Sequence, residues 1–88
     1  MKTIWKYPLV LGQRQTICIP KGFKILTVQE QHGVICLWAE VIPPSQLENV
    51  IIKVVGTGHA EVTDVDEYLG TVQTNSGLFV WHIYRGYA

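Results

Sequence analysis

The residues best suited to chemistry are gathered in Gly56-Thr57-Gly58-His59. Two glycines remove side chains where the backbone must turn, or where another group must come close. Thr57 adds a hydroxyl and His59 a ring nitrogen, and both can fix the orientation of a polar group. With the backbone N–H groups they outline a small cradle for a phosphate. The pattern is not a Walker A loop, because the Lys-Ser/Thr pair is missing, and it is not the dinucleotide fingerprint. An ordinary strand end with a hydrogen-bonded histidine would use the same residues.

Trp5, Tyr7, Trp38 and Trp81 are large planar groups in a short chain. They can stack on a base, or they can fill a core and a subunit interface. Lys6 and Arg85 are cations able to neutralise a phosphate. We take Gly56, Thr57, Gly58, His59, Trp5, Lys6 and Trp81 as candidate ligand-binding residues, with the turn lying beside Trp5 or Trp81. His59 and His82 are possible acid/base groups. Thr57 and His59 lack an orienting third group, so neither an enzyme nor a catalytic residue is expected. Asp64, Asp66 and Glu67 lack the glycine and closing glutamate of a calcium loop and read as a solvated acidic segment. No Cys-x-x-Cys or His-x3-His spacing occurs, so no metal and no cofactor is expected.

The elements that must position these groups are strands. Val50 to Val55 is a β-branched run without helical spacing, which predicts a strand from Asn49 to Val55 buried on at least one face. Ile4 to Leu11 opens the chain, with Pro8 confining it to an edge or breaking it there. Gln15 to Ile19 is a second strand, closed by the turn Pro20-Lys21-Gly22. Phe23 to Gln31 and Val34 to Ile42 flank His32-Gly33 as a hairpin. Strict alternation in the first of these puts Leu26 and Val28 on one face, with Ile25 and Thr27 on the other. Pro43 to Glu48 reads as an exposed loop. Ala60 to Glu67 is a polar loop or one helical turn. Tyr68 to Thr74 and Leu78 to Arg85 flank Asn75-Ser76-Gly77 as a second hairpin. The last strand is apolar on both faces, which places it centrally or at an interface. Short connections and six or seven strands give an all-β fold, a small antiparallel β-sandwich or partly open barrel, in one domain over residues 1–88.

The chain is 48% hydrophobic and only 16% charged, against about 25% charged in an average soluble domain. A domain this small buries only about 60 to 65% of its unfolded surface. We therefore expect a homo-oligomer, a dimer or a dimer-built tetramer. Seven basic and seven acidic residues cancel, which argues against non-specific nucleic-acid binding, since that needs a positive field, but leaves room for a small anionic ligand held by a few local groups. No run reaches the ~18 apolar residues of a membrane span. Met1 to Tyr7 has no apolar leader segment, so Cys18 and Cys36 are expected as reduced thiols in a cytoplasmic protein.

Ile4-Trp5-Lys6-Tyr7, Pro20 to Leu26, Leu37-Trp38-Ala39, Gly56-Thr57-Gly58-His59, Gly70-Thr71-Val72-Gln73 and Val80-Trp81-His82 occur in this order along nearly the whole chain. In that ordered combination the sequence resembles a family of small uncharacterised proteins of bacteriophages and prophages, a domain of unknown function. Members often carry Pro after Gly-Thr-Gly-His, where this chain has Ala60. The resemblance implies a phage-encoded protein acting in the cytoplasm of an infected host cell. Three function classes follow. The first, and our expectation, is a binding module that sequesters a nucleotide-like host immune signal. The second is a protein–protein inhibitor of a bacterial defence enzyme. The third is a virion accessory component.

Overall fold

The computed structural model describes residues 1–87. Seven strands follow one another: β1 (Thr3–Pro8), β2 (Arg14–Pro20), β3 (Lys24–Gln31), β4 (Val34–Val41), β5 (Leu47–Gly56), β6 (Glu67–Thr74) and β7 (Phe79–Gly86). They form a three-stranded sheet in the order β1-β4-β3 and a four-stranded sheet in the order β2-β5-β7-β6. Every pairing is antiparallel. The two sheets face each other as a sandwich and do not close into a barrel. No helix occurs among the described residues, so Ala60 to Glu67 is loop rather than a helical turn. Correspondingly, no helix is long and apolar enough to cross a membrane.

Inward-facing apolar residues from both sheets meet in one core. Ile35, Leu37, Ala39 and Val41 come from β4, while Val50, Ile52 and Val54 come from β5. Ile83 of β7 and Val72 of β6 complete it. The β-branched content of β5 suits this position, because branched side chains pack well on a pleated surface. β5 lies between β2 and β7, and β7 between β5 and β6. Two-sided apolar character thus belongs to strands inside the larger sheet. β1 is an edge strand that ends at Pro8. Tyr7 donates its phenol to the Cys18 carbonyl at 3.1 Å and so ties this edge to β2 of the opposite sheet. Burial, with the nearby Cys18 thiol, pushes the Tyr7 phenol above its ordinary pKa. Cys18 and Cys36 are free thiols, the first exposed and the second buried.

Strict alternation fails in β3. A register shift between Ile25 and Thr27 sends Ile25 and Val28 into the core, and leaves Leu26 43% exposed. A bulge adds one residue, and every side chain beyond it changes face. A matching shift in β6, between Tyr68 and Gly70, brings Gly70 inward. There the two sheets touch: a Cβ on Gly70 would lie 2.6 Å from Val28 Cγ2. The hairpin at His32-Gly33 forms with both φ values positive, 51° and 83°, as a two-residue primed turn requires.

Gly70 thus sets the spacing of the sheets at the β3–β6 side. Val28 is branched at Cβ and cannot swing its methyl away. Gly70→Ala is expected to lower stability by about 1–3 kcal/mol, the usual range for overpacking. Urea unfolding checks this. Val28→Ala on the Gly70→Ala background should restore part of the loss, because the two sites share one contact.

Candidate functional site

β5 delivers Gly56 opposite Trp81 of β7. Both lie at the end of the sandwich that also carries the His32-Gly33 hairpin and the Asn75–Gly77 turn. The chain then turns through Thr57 and Gly58, whose φ of 90° is one that L side chains rarely adopt. His59 folds back over Gly56. A Cβ on Gly56 would lie 3.4 Å from His59 Cε1 and 3.5 Å from Trp81 Cζ3. The bare glycine therefore lets an imidazole and an indole converge on one point. Phe79 stands beside Trp81, with ring centroids 6.5 Å apart and planes tilted by 40°. Gly56, Thr57, His59, Leu78, Phe79 and Trp81 line a cleft of ≈ 480 Å³.

Of the expected site residues, the structure brings Gly56, Thr57, His59 and Trp81 together, with Gly58 at the tip of the turn. Trp5 and Lys6 lie elsewhere, on β1 of the other sheet. Trp5 pairs with Ala39 and is 38% exposed. The Lys6 ammonium donates to Gln31 Oε1 at 2.9 Å. The turn does not form an open phosphate cradle either. Thr57 N–H donates to the Val80 carbonyl and His59 N–H to the Gly56 carbonyl, at 3.3 and 3.1 Å. Those donors serve the fold, and the cleft they leave is aromatic.

The Thr57 hydroxyl is engaged as well. It lies 2.7 Å from His82 Nε2, while Thr71 Oγ1 lies 3.0 Å from His82 Nδ1. Tyr68 continues the chain, its hydroxyl 2.6 Å from Thr71 Oγ1. His82 is thus held at both ring nitrogens on the outer face of the larger sheet. This arrangement orients the ring but lacks the carboxylate that completes a hydrolytic triad. Among the described residues, no group of three His, Cys, Asp or Glu comes together in metal-holding geometry.

What holds the 57–66 loop in place is a buried ion pair. Lys53 rises from the outer face of β5, between Ile51 and Val55, with only 9% of its side chain exposed. Its ammonium donates to Asp66 Oδ2 at 2.8 Å and to the Glu61 carbonyl at 3.3 Å. The same Asp66 oxygen accepts the Thr63 N–H at 2.9 Å. The acidic segment is therefore not simply solvated, since the Asp66 side chain is 0% exposed. Sequence reasoning missed this pair. A signal for it existed: a lone lysine inside a β-branched run needs a counter-charge, and the nearest acidic residues follow in 61–67. Phe79 and Leu78 were also missed as cleft residues, because their place depends on the register of β7 against β5.

The chain belongs to the DUF7352 family, a domain of unknown function, whose model matches residues 1–88. No curated protein and no solved structure matches it. The match covers the whole chain, so the cleft and the Lys53–Asp66 strap both lie within the DUF7352 domain.

The strap has a pH signature. The Lys53 hydrogen bond, with the Thr63 N–H, holds the Asp66 carboxyl below its ordinary value of 3.8. A depressed carboxyl contributes stability above its unfolded pKa, and that contribution is lost as pH falls through the folded value. The strap should therefore stay intact at neutral pH and release only in acid, below about pH 4. Hydrogen exchange across 57–66, expressed relative to the intrinsic rate at each pH, should rise in that window in the native protein. In Asp66→Asn it should be raised already at neutral pH and change little on acidification.

Proposed function

We propose that this protein is a small-molecule binding module that captures a flat, nucleotide-like ligand by stacking its ring system in the Gly56–Trp81 cleft. The observation that carries this reading is the convergence of the His59 and Trp81 rings on the bare Gly56, with Phe79 alongside. Aromatic faces next to a glycine suit a base, because every base has a π-face and stacking is sequence-tolerant. His59, at the rim, offers a ring nitrogen to an exocyclic polar group. The cleft holds no lysine or arginine, so recognition would centre on the ring rather than on a polyphosphate. The resemblance to phage and prophage proteins gives this capture a biological sense: sequestration of a host immune signal in the cytoplasm of an infected cell, without turnover.

A second reading has its own observation. Leu78 is 72% exposed and Phe79 48%, and Val10 and Leu11, on the β1–β2 loop, are 54% and 42% exposed. Gly12, on that same loop, faces Trp81: a Cβ on it would lie 3.8 Å from Trp81 Cζ3. Such an apolar rim suits a host defence protein, or a second copy of this chain, docking at the same end.

Phe79→Ala is the discriminating variant, because Phe79 is half exposed and lies outside the buried core. Mass spectrometry of small molecules released from protein purified out of infected cells should find a retained base-containing compound. Its affinity should fall by about tenfold in Phe79→Ala, the scale of one stacking contact. His59→Ala should weaken it further. Recovery of no small molecule, together with a stoichiometric host protein, would move the assignment to the second reading.

Self-association is a separate expectation. Light scattering at micromolar concentration should give a multiple of the 9.9 kDa chain mass. A monomer mass there would exclude the oligomer.

A further inference from the structure

We propose that Arg85 marks a second, oxyanion-binding site at the opposite end of the sandwich from the aromatic cleft. Arg85 lies four residues beyond Trp81 on β7, roughly 13 Å along the strand. It shares the inward face with Trp81 and Ile83, and it pairs with Ile52 on β5. The two sites are thus separated by the core, and this proposal stands apart from the cleft reading.

The cavity here measures ≈ 420 Å³, and its lining includes Phe23, Lys24, Leu26, Glu67, Tyr68 and Arg85. Two bulges open it, one in β3 at Ile25/Thr27 and one in β6 at Tyr68/Gly70. Both interrupt the ladder at the side where β3 and β6 are edge strands. The Arg85 guanidinium carbon lies 5.0 Å from the centroid of the Phe23 ring and 4.7 Å from that of Tyr87. Aromatic contacts of this kind hold the guanidinium plane and leave its N–H donors at the edge. Arg85 Nε is buried and has no hydrogen-bond partner among the described residues. Neither ion pair in the described chain uses Arg85. Glu67 stands opposite on β6, but its Oε1 accepts the Tyr87 hydroxyl at 3.1 Å.

A buried donor without an acceptor is costly, and native structures rarely keep one without a reason. An oxyanion entering this cavity would supply the acceptor. A planar fork engages two oxygens of one carboxylate or phosphoryl group at once, which a single ammonium cannot do. Lys24 adds a second positive charge to the lining. Leu26 and Tyr68, 43% and 55% exposed, offer apolar surface to whatever carries the anion. The ligand class is therefore a carboxylate or phosphoryl group on an apolar or flat body.

The chain has two arginines, Arg14 and Arg85, so their Nε–H signals are separable by nitrogen-15 NMR, with Arg14 as internal control. The full chain is titrated with sodium phosphate and, separately, with sodium acetate, with ionic strength matched by sodium chloride. A saturable shift of the Arg85 Nε–H signal, with Arg14 unmoved, is the expected result. A stronger response to phosphate assigns a phosphoryl ligand, and a stronger response to acetate a carboxylate. Arg85→Lys keeps the charge and removes the fork. Followed through the backbone amides of Lys24 and Tyr68, it should bind the responding anion about tenfold more weakly. If Arg85→Lys fails to fold, the wild-type titration decides alone. No saturable Arg85 shift with either anion overturns the proposal, and so does undiminished binding in a folded Arg85→Lys.

Discussion

Val54 and Ile83 face each other across the β5–β7 ladder, both fully buried. Their pairing fixes the register of the larger sheet, and everything else of interest follows from that register. With Val54 on Ile83, Gly56 must meet Trp81 and Ile52 must meet Arg85. A slip of one residue would turn Trp81, Ile83 and Arg85 outward together, since side chains alternate with period two. The inner face of β7 therefore reads in order: an aromatic end, a core centre and a cationic end. One strand places two different surfaces at opposite ends of the sandwich, and the buried Ile83 keeps them apart.

The outer face of the same ladder carries polar structure. Lys53 pairs with Tyr84, and Val55 with His82. Burying a lysine on that face is tolerable only because the 57–66 loop brings Asp66 to it. The ion pair and the aromatic cleft are thus mechanically linked. The segment that begins at the cleft with Thr57 and His59 ends at the strap with Asp66. Thr57 also hydrogen-bonds to His82, so the loop is tied to the sheet at its first residue as well as its last. A loop held at both ends keeps the imidazole of His59 against Gly56, and for the proposed ligand this pre-organisation would lower the entropic cost of binding.

The strand sequence was legible because the chain alternates Gly, Pro and Asn turns with short β-branched runs, and those signals are local. The central position of β7 was legible from its two apolar faces. The association of Gly56, Thr57, His59 and Trp81 was legible in part, because glycine before a histidine at a strand end implies close approach. Trp5 and Lys6 were misplaced because sequence does not say which sheet a strand joins, and β1 joins the smaller one. Leu26 was misassigned because a bulge shifts parity without any change in composition. The Lys53–Asp66 pair depends on a contact across 13 residues and the Arg85–Phe23 contact on how β7 packs against the start of β3, and no periodicity encodes them.

Zero net charge acquires a meaning in this frame. Seven positive and seven negative residues give no long-range field to draw a ligand in. Several charges are also locally committed, Lys2 to Glu40 and Lys53 to Asp66. On the proposed reading, recognition takes place at contact distance, through ring faces in the cleft and through the fixed guanidinium edge in the second cavity. Association would then proceed at the unsteered rate, about 10⁵–10⁶ per molar per second, and selectivity would reside in how long the ligand stays. The proposed capture without turnover would need a slow release more than a fast capture. In that reading the rigid rings, the strapped loop and the register locked by Val54 and Ile83 would all slow release.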